Sequence, residues 1–241
     1  MIGNWIQIAT FKKKIDDVAK EATVMGGVTN LVVATIILLV INLIFGVVSV
    51  AITGLTSSSG IMGAIVGAGI VLIGTIIGGI IGLVGGLILT AILIGVTNLI
   101  AKFLFSGKGT FGQLFGTTTM IGAATTGTYY IPIAILSGII AVITAPLEII
   151  GGILAGIVGL VIGLVQLVAS IIALILTIKG VMAVHKIGGI QAAIALLIPI
   201  IILVIILVII AVIIAVVFGI AAMSALSATS GGFFALPAGL S

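Results

Sequence analysis

Five long apolar runs constrain the fold of this sequence more than any other feature. Each has at least the roughly 20 residues that an α-helix needs to cross about 30 Å of hydrocarbon. Eight lysines and four acidic residues are the only charged side chains, too few to keep a water-soluble domain of this size in solution. We therefore predict an all-α, polytopic membrane protein, a bundle of five transmembrane helices within residues 25–241. The predicted spans cover approximately residues 27–52, 74–101, 117–143, 147–178 and 190–223.

The second apolar run, residues 61–101, is longer than one span needs. A helix of that length would measure about 60 Å, twice the bilayer core, so the run could hold one span or two. With one span, all eight lysines fall on the same side of the membrane, whereas with two they divide equally between the sides. We therefore predict a span at about 74–101, with residues 61–73 as an interfacial or re-entrant segment. The positive-inside rule then places the N-terminus in the cytoplasm and the C-terminus outside the cell membrane.

Residues 1–24 have the pattern of an amphipathic helix that lies in the cytoplasmic interface. Charged and polar side chains occupy the opposite face from a set of apolar residues at helical spacing, namely Trp5, Ile8, Phe11, Ile15, Val18 and Ala22. Trp5 is expected at the depth of the lipid headgroups. The basic cluster Lys12–Lys14 is read as an orientation signal and membrane anchor, with a contact for anionic lipids or a partner-docking arm as the alternatives.

Small residues recur every four positions in the second and fourth runs. The glycines involved are Gly74, Gly78, Gly82, Gly86, Gly159 and Gly163. Such spacing lets helix backbones approach closely in membranes. We interpret it as packing between spans two and four within one chain. The alternative is a homodimer seam, which would make the protein a homo-oligomer.

The reactive residues that common enzyme mechanisms require are missing from this sequence. Gly107–Thr110 is not a phosphate-binding loop, because Lys102 stands where that motif needs its first glycine and Gly109 follows Lys108. His185 is the only histidine and there is no cysteine, so neither a multi-histidine site nor thiol chemistry is available. We expect no catalytic residue, no metal and no cofactor. Three lysines beside acidic residues are also too few for a nucleic-acid interface.

Two loop segments carry a resemblance to a known family. Gly107–Leu114 (GKGTFGQL), followed by a span with Tyr130-Ile131-Pro132, resembles a loop and the third helix of the Yip domain family of five-helix membrane proteins. Ile178–Gly189 is similar to that family's loop before its final helix. The chain resembles a prokaryotic member, since it lacks the long N-terminal region and the aromatic, acidic motif through which eukaryotic members bind prenylated GTPases.

The resemblance and the missing reactive groups together predict a scaffold or adaptor without catalytic activity. Its partners would be membrane lipids and an unidentified membrane or cytosolic protein. The candidate partner-facing residues are Lys102, Lys108, Phe111, Gln113, Lys179, His185 and Lys186. Two alternatives remain open: a channel or transporter for a neutral solute, with a path lined by threonines of residues 117–128, and an accessory subunit of a larger membrane complex.

Overall fold

The structure is a computed structural model that describes the backbone of residues 2–56 and 60–230, and the side chains of residues 2–56, 60–147 and 151–216. In chain order the elements are α1 (Ile2–Ala9), α2 (Ile15–Glu21), α3 (Val24–Thr56), α4 (Gly60–Phe105), α5 (Phe111–Thr125), a π-helical turn (Thr126–Tyr130), α6 (Ile131–Thr144), a 3-10 turn (Ala145–Leu147), α7 (Glu148–His185) and α8 (Gly189–Ser230). The predicted location of the C-terminus concerns residues outside this described part.

Five segments of the described chain are long and apolar enough to cross a membrane. They are Val24–Thr56, Gly60–Phe105, Phe111–Leu147, Gly151–His185 and Gly189–Val216. A helix satisfies all its backbone hydrogen bonds internally, which hydrocarbon requires. The predicted all-α fold with five spans is confirmed, and the chain is a multi-pass membrane protein.

The second span differs from the prediction, because α4 is one continuous helix of 46 residues from Gly60. At 1.5 Å per residue it measures about 69 Å. Residues 61–73 are therefore not a separate interfacial or re-entrant piece. They pair with α3 as the rest of α4 does: Ala64 lies against Gly54, and Leu39 packs over Gly79 further along the same helix pair. The long neighbour α3 gives the early part of α4 a packing partner.

The third span contains a π-helical turn between α5 and α6. Here the Ile131 N–H donates to the carbonyl of Thr126, five residues earlier. Pro132 follows directly and has no N–H to give. The π-helical turn, which is wider than an α-helical turn, thus lies where proline interrupts the regular pattern of helix hydrogen bonds. Gly127, within the turn, lies directly against the indole ring of Trp5.

The N-terminal segment is two short helices rather than the single interfacial helix predicted. The break lies between Ala9 and Ile15, and Phe11 within it has a positive φ of 60°. Five of the six residues of the predicted apolar face are buried, namely Trp5, Ile8, Ile15, Val18 and Ala22, but Phe11 is 44% exposed. However, this face packs on α5, α7 and the π-helical turn, so the Trp5 side chain is covered by protein, and its depth in the membrane stays a prediction.

The described residues up to Leu196 form one compact unit, which contains every buried side chain of the described chain except that of Pro199. The later part of α8 has only Ile, Leu, Val and Ala from 200 to 217. From Val204 to Val216 every side chain is exposed. Apolar residues on all sides are typical of a helix that faces lipid.

Candidate functional surface

The loops and N-terminal residues that carry the lysines come together at one end of the bundle, here called the lysine end. The Lys108 N–H donates to the carbonyl of His185 at 3.1 Å, which joins the α4–α5 loop to the end of α7. The Lys186 ammonium lies 3.5 Å from the Asp16 carboxylate, which joins the α7–α8 loop to α2. The Lys179 ammonium lies 4.7 Å from the centre of the Phe11 ring, a cation–π contact.

The α4–α5 loop is packed tightly across the end of α7, and this explains its glycines. A Cβ at Gly107 would lie 2.7 Å from Nδ1 of His185, and one at Gly109 would lie 2.8 Å from the carbonyl oxygen of Val184. The loop also folds back on α4, where the Gly107 N–H donates to the carbonyl of Ala101 at 2.9 Å. Only glycine fits at either position without displacing a neighbour.

The second half of the GKGTFGQL segment starts helix α5. The Thr110 hydroxyl accepts from the Gln113 N–H at 3.3 Å, while the Thr110 N–H donates to the Gln113 side chain at 3.4 Å. This reciprocal pair is a capping box, which satisfies two helix-end donors. Phe111 stacks on the buried Phe115 ring at 5.5 Å and stays 41% exposed. Thr110 and Gln113 thus have a structural role in addition to any binding role.

His185 was predicted to face a partner, and this is wrong. Its side chain is only 1% exposed, because Gly107 and the rest of the α4–α5 loop cover it. Neither ring nitrogen has a hydrogen-bond partner among the described residues. Val181, one helical turn earlier on α7, is also fully buried. Val181 and His185 are four residues apart and so lie on the same face of α7. This spacing is the sequence signal that could have predicted a buried His185.

The other candidate partner-facing residues are on the surface of the lysine end. Those exposed there are Lys102, Lys108, Phe111, Gln113, Lys179 and Lys186. Sequence reasoning missed two strongly exposed apolar neighbours at the end of α4, Phe103 at 82% and Leu104 at 64%. It also missed Phe11 and Asp16, whose positions depend on how the N-terminal segment packs against α7.

The predicted glycine packing between spans two and four is absent from the described chain. A Cβ built at any of the six predicted glycines would have no heavy atom of another segment within 4 Å: Gly74, Gly78, Gly82, Gly86, Gly159 and Gly163. Helix α4 packs on α3 instead, through Ala64, Gly67, Val71 and Gly79, at spacings of three, four and eight residues. The interpretation as packing within the chain is wrong, and the homodimer seam stays a prediction.

Three of the six threonines proposed to line a solute path are buried against neighbouring helices. Thr117, Thr119 and Thr125 are at most 3% exposed. Each donates its hydroxyl to a carbonyl one turn earlier in α5, at 2.7, 2.8 and 3.0 Å respectively. Thr119 also lies against Gly27 of α3. The hydroxyls of these three threonines are therefore used inside the helix, whereas those of Thr118 and Thr128 have no hydrogen-bond partner among the described residues.

Comparison of this chain with protein-family models, with curated proteins and with solved structures found no match.

Proposed function

We propose that this protein is a membrane scaffold or adaptor of the Yip type, without catalytic activity, that presents its lysine end to a partner protein in the cytoplasm. The observation that carries the proposal is the contact between the two segments that resemble the Yip family. They are far apart in the sequence, yet Lys108 donates to His185 and Gly109 packs on Val184. Residues of both motifs thus belong to one surface.

The composition of this surface favours a protein partner. Exposed lysines from two loops, Lys108 and Lys186, lie at the same end of the bundle as the exposed rings of Phe103 and Phe111. Aromatic side chains are enriched in the centres of protein interfaces, where they contribute most of the binding energy. The α4–α5 loop, which carries Lys108, is held by backbone hydrogen bonds and by the cap of helix α5. A preformed loop costs less entropy to bind than a flexible one.

The alternative of a neutral-solute path has less support, because three of the six threonines that motivated it, Thr117, Thr119 and Thr125, are buried and hydrogen-bonded within α5. The accessory-subunit alternative is supported by the apolar side chains exposed along α4 and α8. Lipid would cover such faces equally well. Both alternatives predict that the lysine end has no dedicated cytosolic partner.

A site-specific crosslink tests the proposal. The chain has no cysteine, so Ser106→Cys can carry a single photo-crosslinking probe in the exposed α4–α5 loop. Leu55, 58% exposed at the far end of α3, provides the matched control position. We expect one reproducible cytosolic protein at Ser106 and none at Leu55, as identified by mass spectrometry after crosslinking in native membranes.

The crosslink should also depend on the charges of the surface. Reversing Lys102 and Lys108 to glutamate is expected to reduce the yield at least about tenfold, since opposed charges at an interface discourage the partner. Lys20→Glu, on α2 and outside the two loops, should leave the yield within about twofold. Crosslinks only to lipid or to a second copy of the chain would contradict the adaptor proposal.

A further inference from the structure

A groove of about 440 Å³ lies at the lysine end between the α1–α2 segment and the last turns of α7. Three lysines line it, Lys13, Lys14 and Lys179, together with one acidic residue, Asp16. Its floor is apolar and includes Ile15, Met182 and Ile187. The volume is within the range of small-ligand sites, and a cationic rim over an apolar floor favours an amphipathic anion.

The charges around the groove do not cancel. Glu21 pairs with Lys13 at 2.6 Å, and Asp16 pairs with Lys186 at 3.5 Å. Lys14 and Lys179 make no ion pair within the described residues. Two of the four lysines at the groove are therefore paired, Lys13 and Lys186, and the other two leave two positive charges without a carboxylate. The contact of Lys179 with the Phe11 ring, at 4.7 Å, holds its ammonium at the groove. A ligand with one or two negative charges would complement this site.

The position of Lys179 on α7 distinguishes a lipid from a soluble anion. Ile171, Ile175 and Lys179 are spaced four residues apart and so lie along one face of the helix. Ile171 is 48% and Ile175 is 41% exposed, and Lys179 is exposed above them, within two turns of the end of the span at His185. An apolar stripe that leads to a lysine near a membrane boundary matches an acyl chain below a phosphate.

We infer that this groove binds the headgroup of an anionic phospholipid. Its phosphate lies between the ammonium groups of Lys14 and Lys179, and one acyl chain runs along Ile175 and Ile171. The lipid would then bridge the N-terminal segment and α7, next to the Lys186–Asp16 ion pair. Bilayer lipid is the source of the phosphate, since a free anion would have no use for the apolar stripe.

Competitive lipid binding tests this inference. The purified full-length protein in detergent is given equal amounts of phosphatidylglycerol and phosphatidylcholine, and bound lipids are counted by native mass spectrometry. We expect wild type to prefer phosphatidylglycerol about tenfold, as two lysines near a headgroup would provide. K14Q/K179Q should lose this preference. K12Q/K20Q removes the same charge from lysines that do not line the groove and should change it less than about twofold.

Further variants exclude simpler explanations. K14R/K179R keeps both charges and should retain the preference, and thermal unfolding reports whether K14Q/K179Q remains folded. If it does not, K14Q alone is used, because Lys14 is exposed and makes no ion pair within the described residues. K14Q should lower the preference about threefold. Equal binding of both lipids by wild type, equal losses in both double variants, or displacement of phosphatidylglycerol by excess inorganic phosphate would overturn the inference.

Discussion

Replacing Trp5 with alanine is expected to destabilise the fold by about 3 kcal/mol. The Trp5 side chain is only 3% exposed and packs against Gly127 in the π-helical turn. Its indole N–H donates to Oδ1 of Asn30 at 2.9 Å, so the truncation leaves both a cavity and an unpaired acceptor. Thermal unfolding in detergent, followed by circular dichroism, would measure the loss.

Two variants of the same segment serve as controls for Trp5→Ala. Trp5→Phe keeps an aromatic ring and removes the N–H, so it should cost about 1 kcal/mol. Ile6→Ala is on the outer face of α1, where the side chain is 46% exposed, and should change stability by no more than about 0.5 kcal/mol. If Trp5→Ala were as mild as Ile6→Ala, α1 would lie free in the interface as the sequence pattern alone suggested.

Replacing Gly116 with alanine is expected to destabilise the protein by about 2 to 4 kcal/mol. A Cβ at Gly116 would lie 2.7 Å from the carbonyl oxygen of Thr23, and one at Gly27 would lie 2.6 Å from the carbonyl oxygen of Gly116. Here α5 and the start of α3 touch through backbone atoms, which no rotamer change can relieve. The backbones would have to separate, with loss of packing between them. Thermal unfolding would report the change.

Gly78→Ala is the matched control for the Gly116 substitution. Both glycines lie in helices, but a Cβ at Gly78 would have no other atom within 4 Å. Since alanine is a better helix former than glycine, Gly78→Ala should leave stability unchanged or raise it by up to about 1 kcal/mol. Equal effects at the two positions would contradict the close contact between α3 and α5.

The five spans could be predicted from the sequence because long apolar runs with few charges have one physical solution in a membrane. Lysine positions also indicated that the second run crosses once. They could not indicate that residues 61–73 continue α4, since this depends on contacts such as Gly54 with Ala64 on the long neighbour α3. The break after Ala9 was likewise hidden, because Phe11 continues the helical spacing of apolar residues while its own φ of 60° ends the helix.

The candidate surface was predictable in part, for a related reason. Lysines at the ends of apolar runs, such as Lys102 and Lys108, are expected outside the hydrocarbon, and they are exposed at one end of the bundle. Whether a residue at a helix end faces outward depends on what packs over it, and the α4–α5 loop covers His185 at the end of α7. The groove beside Lys179 could not be predicted, because it exists only where the α1–α2 segment packs on α7.

The central claim is a five-span bundle whose lysine-bearing segments all lie on one side of the membrane. Single-cysteine variants at Lys12, Lys108 and Leu55 test it most directly, with a membrane-impermeant maleimide applied to intact cells and to inverted vesicles. We predict that positions 12 and 108 react only in inverted vesicles and that position 55, at the other end of α3, reacts only in intact cells. Reaction of positions 12 and 108 from opposite sides would contradict the account.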